Sequence, residues 1–416
     1  MRVLWVKGGG LVPPDVGQRI RSYHLLRELA KRHRVTLFTF YGAHANDEHS
    51  TLERICERVV TVPLDIPARR SSREYFKFMQ QLFSPVPYSI SKYCLPEVGR
   101  SLRKLTNLET YDVLVCDFIL PARLIPWSLP CPKVIFTHNV ETQIWKRHVQ
   151  VTKNPFWKLV AWREYRTMKN YEKRYLPLAD HVFAVSAVDR EFLSDWVDSN
   201  KVTVMATGVD VEYFSPSMDE VEPNSLVFSG AMDWIPNQEG VLYFIKRILP
   251  LIRNEIPETT LTIVGRNPSD KLQSIARECG VKVTGRVDDI RPFLRNSAVY
   301  VVPLRVGSGT RLKIFEAMAM GKAIVSTTLG AEGLPVSDGQ NILLADTPEE
   351  FGRKAIELLR NPDERSHLGA AARHLVAQHC SWATVSQHFD EVFAKLCGTR
   401  DATQHPAADW VQMRPM

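Results

Sequence analysis

Residues 299–334 read VYVVPLRVGSGTRLKIFEAMAMGKAIVSTTLGAEGL, and the order of residue types along them decides the fold. Val299–Val302 is a short, β-branched, apolar run, as a parallel strand buried on both faces requires. Gly307-Ser308-Gly309 turns the chain, and residues 310–320 follow with Leu312, Phe315, Met318 and Ala319 at helical spacing. Gly321 suits a C-terminal cap, and Ala323–Ser326 is the next strand. Strand, glycine turn and helix together aim amide N–H groups and a positive helix end at whatever lies beyond the strand. Strand, turn and helix alone also fit an ordinary βαβ connection without a ligand. Three polar side chains point further. Arg311 and Lys313 stand in the first turn, where the helix dipole disfavours cations unless an anion is bound. Glu316, one turn on, interrupts an apolar face with a carboxylate that can accept from a vicinal diol, as acidic residues do with ribose. A phosphate site beside a diol acceptor suggests a nucleotide.

Outward from this stretch the alternation continues. Apolar runs at 226–229, 261–264, 281–284, 299–302, 323–326 and 342–344 are strand candidates, with helical segments between the first five and a short loop before the sixth. That pattern predicts a doubly wound α/β domain. Helices are expected over 348–359, 363–379 and 382–397, and the polar, aperiodic tail 398–416 is expected to be disordered.

Towards the N-terminus, residues 206–225 lack periodicity and hold Pro216, Pro223 and Asn224, which suits a linker. Before it lies a second α/β pattern. Residues 2–6 and 35–40 are strands flanking a helix over 18–33, but Pro13 stands where a dinucleotide GxGxxG would need glycine. The glycine-rich loop through Gly17, with Arg19 and Arg21 at the helix start, either lines a cleft or is a flexible connector with surface arginines. Residues 71–105 are irregular, aromatic and basic, and predict two or three helices broken at Pro85 and Pro87. The strand at 134–137 runs into His138, and ligands of open α/β sheets sit at carboxyl ends of strands. His138 can contact a sugar hydroxyl or phosphate there, or be a satisfied structural histidine.

Residues 145–175 carry nine Lys/Arg against Glu164 and Glu172, with seven interleaved aromatics. Such a segment lies on an anionic membrane surface or forms a long surface helix with one core-facing aromatic stripe. The expected organisation is one α/β domain over 1–206, a linker over 207–225, a second α/β domain over 226–380, a further helix over 381–397, and the tail over 398–416.

The 416 residues suffice for two or three full cores, and 44% hydrophobic with 24% charged residues is ordinary for a globular chain. No apolar run reaches the ~18–20 residues of a membrane span. Seven scattered cysteines without a CxxC pair read as reduced thiols of a cytoplasmic protein, and no metal site is expected. A net charge of +7 suits an anionic partner. No nucleic-acid module is present, so nucleic acid is not expected as that partner.

The ordered set Phe228-Ser229-Gly230, Leu261-Thr262-Ile263-Val264-Gly265, Val283-Thr284-Gly285-Arg286-Val287-Asp288-Asp289, Pro303, residues 307–313, residues 316–321 and Glu332-Gly333-Leu334 resembles the nucleotide-sugar-binding half of family-four glycosyltransferases. The first half is similar through residues 17–21, His138-Asn139-Val140-Glu141 and Thr207-Gly208-Val209-Asp210. Its closest resemblance is to sugar transferases of bacterial exopolysaccharide systems. The resemblance implies the GT-B fold, two doubly wound Rossmann-like α/β domains facing across a cleft. It also implies retaining, metal-independent transfer of a sugar from a nucleoside diphosphate, UDP- or GDP-linked, to a saccharide or lipid-linked acceptor.

It further implies site residues. Catalytic roles fall to His138, Glu316 and Ser308. Glu316 matches the second of two signature glutamates and would hold ribose; Ser308 stands where the first would be, against the donor sugar. Donor contacts fall to Gly17, Gly230, Asn237, Gly265, Arg266, Gly285, Val287, Gly307, Gly309, Thr310, Arg311, Leu312 and Lys313, and acceptor-side contacts to Arg19 and Arg21. Family members often carry an arginine and a lysine where this chain has Ala231 and Asn237, which leaves the diphosphate charge to Arg311, Lys313 and the amides of residues 307–310. No cofactor is implied. The expected location is the cytoplasm, at the inner face of the membrane if the basic aromatic segment docks there. A nucleotide-sugar epimerase and a nucleotide-sugar-binding protein without catalysis are the alternatives.

Overall fold

The computed structural model describes residues 1–14, 17–42, 48–67, 71–152, 154–205, 207–217, 221–306 and 312–404. The chain divides into two compact units, one of residues 1–205 with the chain from Ser386 on, the other of residues 206–385.

The first unit holds a seven-stranded sheet of β1 (Arg2–Gly8), β2 (Arg34–Gly42), β3 (Arg58–Leu64), β4 (Val113–Asp117), β5 (Lys133–Phe136), β6 (His181–Ala184) and β7 (Val202–Val204). All pairings are parallel and the order is β3-β2-β1-β4-β5-β6-β7. The chain winds outward in one direction from β1 and then in the other from β4, so the switch point of the sheet lies between these two strands. Their register sets Lys7 directly beside Asp117. The strands are near-continuous apolar runs because helices cover both faces. Trp5, Phe136 and Phe183 are fully buried, and Phe389 from the helix Trp382–Gln404 packs on all three rings.

The second unit holds six parallel strands, β8 (Ser225–Ser229), β9 (Thr260–Val264), β10 (Lys282–Val283), β11 (Val299–Val302), β12 (Ala323–Ser326) and β13 (Leu343–Leu344), in the order β10-β9-β8-β11-β12-β13. Its switch point lies between β8 and β11. Phe228, Phe244, Tyr300, Phe315 and Phe351 fill its core. The predicted helices at the end of this pattern form over Pro348–Arg360, Pro362–His379 and Trp382–Gln404; the last runs past the expected end at 397, so residues 398–404 are helical and not a disordered tail, and 405–416 lie outside the described residues.

The segment 71–105 forms three helices, Ser72–Gln80, Tyr88–Ser91 and Pro96–Leu108. The expected long helix over 145–175 is two helices instead, Glu141–Val151 and Pro155–Tyr175. Pro155 at the first helical position has no N–H to give to a continuing helix, and the Asn154 side chain accepts from the Trp157 amide to cap the new one.

Candidate active site

In the second unit the functional side chains collect at the carboxyl end of β8, beside the switch point. Lys313 is in the first turn of the helix Leu312–Ala319. Its ammonium donates to Asn237 Oδ1 at 2.7 Å and lies 4.1 Å from the centroid of the Phe228 ring. Asn237 is buried and donates from Nδ2 to the Ala231 carbonyl at 2.8 Å, so its amide is oriented to present oxygen to Lys313. A positive charge from the helix Leu312–Ala319 therefore lies beside Asn237.

Gly230 makes this arrangement possible. Its φ is +153°, and a β-carbon on it would lie 2.5 Å from the Lys313 ammonium and 2.7 Å from Asn237 Nδ2. Gly265, at the end of β9, approaches the Gly230 carbonyl so closely that a β-carbon would stand 1.8 Å from its oxygen. Two glycines thus let the ends of β8 and β9 meet and leave a side-chain-free shelf under the lysine.

Glu316 lies one turn beyond Lys313 on the same helix and is half-buried. Burial raises its carboxyl pKa to about 7, with the Lys313 ammonium partly opposing the rise. Ionised, it is an acceptor for paired hydroxyls; no described side chain donates to it. Leu312 is half-buried beside Lys313. Arg266 follows Gly265 and sits 3.9 Å from Asp233, a loose ion pair on a half-exposed turn. Gly285 has a φ of +71° and turns the chain after β10, leading to the half-buried Val287. The adjacent Asp289 is bound by the Arg291 amide and guanidinium and starts the helix Arg291–Asn296. Gly307, Ser308, Gly309, Thr310 and Arg311 lie outside the described residues.

In the first unit the corresponding switch point holds a buried charged cluster. Asp117 accepts from Trp5 Nε1 at 2.7 Å, from Lys7 Nζ at 3.2 Å and from His138 Nε2 at 2.6 Å, with all three charged or polar groups out of solvent. Burial alone would raise the Asp117 carboxyl, but Lys7 and His138 outweigh it and hold the group well below the usual carboxylate range. The residue that follows, Phe118, has a φ of +75°, which a side chain rarely adopts, and its ring lies against His138.

His138 is fully buried. Burial lowers its pKa to about 4 against the pull of Asp117, with Lys7 and Arg21 adding to the fall, so the ring is neutral at pH 7. Because ionised Asp117 can only accept, Nε2 carries the ring proton and Nδ1 keeps a lone pair. Nδ1 has no hydrogen-bond partner among the described residues. Nδ1 of this neutral, carboxylate-oriented imidazole is thus a buried acceptor.

Arg21 is not a surface arginine. It is buried, donates to the His138 carbonyl at 3.3 Å, and is lowered to about 10 by burial while Asp189 opposes the shift. Ser22, on the next position of the helix Gly17–Ala30, lies 3.4 Å from His138 Nε2. Gly17 opens that helix and Arg19 stands half-buried in its first turn. The loop after His138 is fixed by Glu172, whose carboxylate accepts from the amides of Glu141 and Thr142 at 2.9 and 3.1 Å and so caps the helix Glu141–Val151. Lys7, Asp117, Ser22 and Glu172 were not among the residues singled out in the sequence. Asp117 ends the strand VLVCD, a charged residue at the carboxyl end of an apolar run, which is the signal that could have found it.

The fold agrees with the comparisons. Residues 17–213 match the family described as Glycosyltransferase Family 4, and residues 223–361 match Glycosyl transferases group 1. The chain belongs to this family of glycosyltransferases. An uncharacterized glycosyltransferase of Methanocaldococcus jannaschii is 26% identical over 55% of this chain and 62% of its own length. An uncharacterized 44.6 kDa protein in the cps region of Klebsiella pneumoniae is 21% identical over 84% of this chain and 88% of its own. The phosphatidyl-myo-inositol mannosyltransferase of Mycolicibacterium smegmatis is 27% identical over 52% of this chain and 57% of its own. Among solved structures, HepE of Anabaena in complex with UDP has a TM-score of 0.66 at 14% identity, covering 95% of this chain and 100% of that one. Sucrose-phosphate synthase of Thermosynechococcus elongatus has a TM-score of 0.67 at 19% identity, covering 96% and 99%. At these identities the structural matches show the fold, which is GT-B. No helix among the described residues is long and apolar enough to cross a membrane.

Proposed function

We propose that this protein is a retaining hexosyltransferase that moves a sugar from a nucleoside diphosphate, UDP- or GDP-linked, to a saccharide or lipid-linked acceptor. The observation that carries the reading is the pairing of the Lys313 ammonium with the Gly230 shelf at the β8–β11 switch point, one turn from Glu316. The donor diphosphate lies against Lys313. Ribose bonds the Glu316 carboxylate, and the base lies along the backbone from Gly285 to Val287. As the glycosidic bond breaks, negative charge grows on the leaving diphosphate, and a preformed positive environment stabilises it without reorganisation. In the first unit, His138 Nδ1 is the candidate acceptor for a sugar hydroxyl, with Asp117 fixing the tautomer. Neither a metal nor a cofactor is needed in this scheme.

The UDP and UDP-glucose bound in the HepE structures support a nucleotide sugar as donor, and the cps-region relative supports a role in exopolysaccharide or cell-surface glycan synthesis. The test is thermal stabilisation by UDP-, GDP-, ADP- and TDP-sugars with and without EDTA. A ligand at 100 times its dissociation constant adds about 2.7 kcal/mol. One nucleotide class should stabilise the protein and Glu316→Gln should remove most of the shift. Donor affinity should also fall as pH drops below about 7, where Glu316 takes up a proton. Stabilisation by no nucleotide sugar, or an inverted anomer in the product, overturns the reading.

A further inference from the structure

The first unit contains a recess of about 830 Å³ that shares no residue with the Lys7–Asp117–His138 cluster. Its walls are Tyr75, Phe78, Tyr88, Tyr93, Trp145 and Trp157, from four different helical or turn segments. The polar groups in its lining are engaged. Glu74 faces Lys92 at 3.8 Å, and the Glu164 carboxylate accepts from the Tyr88 and Ser89 amides at 3.0 and 3.3 Å. The recess therefore presents an apolar, aromatic interior.

Around it large apolar side chains point into solvent. Phe76 is 64% exposed, Phe83 95%, Phe156 56% and Leu159 62%. Phe83 is not on a loose loop. Arg163 donates to the carbonyls of Gln81, Leu82, Ser84 and Val86 and pairs with Glu164 next to it. One half-buried guanidinium thus holds the 81–86 turn from both sides and fixes Phe83 outward. Exposed phenylalanine on a pinned turn loses hydrophobic stabilisation unless something covers it.

Charge says what covers it. The helix Pro155–Tyr175 has two carboxylates, Glu164 and Glu172, and both are buried. Its exposed charges, Lys158, Arg166, Lys169, Lys173 and Arg174, are all positive. Leu159, Trp162, Arg166, Lys169 and Lys173 fall at i, i+3, i+7, i+10 and i+14, one stripe that is apolar in its first turns and cationic in the rest. Aromatic and aliphatic groups beside lysines and arginines are the complement of an acyl region under anionic headgroups.

We propose that this face seats on an anionic phospholipid bilayer, with Phe76, Phe83, Phe156 and Leu159 entering the acyl region and one acyl chain of a bilayer lipid occupying the recess. The proposal stands independently of the transferase reading.

The test uses the full chain with two sets of vesicles, phosphatidylcholine alone and phosphatidylcholine with phosphatidylglycerol. Wild type should sediment with the anionic vesicles and be released by salt, and Phe76→Asp with Phe83→Asp should weaken partition by about tenfold or more at an unchanged melting point. Acyl chains brominated near their ends should quench tryptophan fluorescence, and Trp145→Phe should remove a distinct part of that quenching. No sedimentation on anionic vesicles overturns the proposal. Sedimentation without a Trp145-dependent quench overturns the acyl chain in the recess. A dimer in solution that Phe83→Asp dissolves assigns the face to a second copy of the chain and overturns the bilayer.

Discussion

Gly265 stands so close to Gly230 that the carbonyl oxygen of Gly230 occupies the space a β-carbon on Gly265 would need, 1.8 Å away. Both atoms belong to backbone, so neither can swing aside as a side chain would. Gly265→Ala must separate the ends of β8 and β9. We expect it to lower stability by about 2 kcal/mol or more, read as a fall in the thermal midpoint of several degrees. Ala231→Gly, on the turn after β8, adds no atom and should move it far less.

The shelf under Lys313 predicts a binding effect that depends on phosphate. Lys313→Met removes the ammonium that Asn237 holds over the Phe228 ring and keeps an unbranched side chain of similar length. A charge-assisted contact is worth about 1.5–3 kcal/mol, so UDP or GDP should bind roughly tenfold to a hundredfold more weakly. Uridine or guanosine, lacking the diphosphate, should bind the variant and the wild type alike. Titration calorimetry with nucleoside and nucleotide side by side checks this.

Lys7 and Asp117 form a buried ion pair at 3.2 Å, which makes them unequal to the sum of their parts. Asp117→Asn leaves the Lys7 ammonium buried without a full countercharge and should cost about 3–5 kcal/mol. Lys7→Met with Asp117→Asn removes both charges, and the double variant should be more stable than Asp117→Asn alone. Denaturant unfolding of the four proteins measures the coupling.

Glu141 and Glu172 predict a pH dependence of opposite sign to ordinary acid denaturation. Burial raises both carboxyls to about 7, and the Glu172 charge adds to the rise at Glu141. Between the unfolded carboxylate value and pH 7 the native state binds more protons than the unfolded state, so their contribution to stability falls as pH rises through that window. Glu141→Gln has no proton to lose. It should be more stable than wild type at pH 8 by about 1 kcal/mol or more, and the gain should disappear towards pH 4.5.

His138 acts the other way. Its folded pKa is lowered to about 4, so the unfolded chain takes up the proton first as pH falls below the ordinary histidine value of about 6.5. Stability is lost through that range. His138→Asn should flatten the loss between pH 6.5 and 4, seen in melting curves of the two proteins across pH.

The sheets were legible in the sequence because parallel strands covered on both faces must be unbroken apolar runs, and Val299–Val302 or Ala323–Ser326 can hardly be anything else. The break at Asn154-Pro155 was legible too, as a cap followed by proline, but the continuous charge and aromatic pattern on either side of it hid the signal. Lys313 and Glu316 could be singled out because both sit on one helix face, where spacing alone relates them. Lys7 and Asp117 could not. They are 110 residues apart and meet only through the pairing of β1 with β4, a register no local pattern encodes. Arg21 read equally well as a surface arginine for the same reason: its burial depends on the loop after β5, not on its neighbours in the chain.

Phe389 lies on Trp5, Phe136 and Phe183, with ring centroids 5.7, 5.7 and 4.2 Å away, and Asp390 takes Arg32 and His33. The rings it covers are made before the second unit, whereas Phe389 emerges only after it. During translation the first unit must therefore wait, its central strand uncovered, while the whole second unit is synthesised. A transcript cut short after residue 205 yields a nascent chain with Trp5 open to water, a species prone to association with its own kind or with chaperones. Completion of this half of the molecule is in effect a readout that translation has passed the second unit.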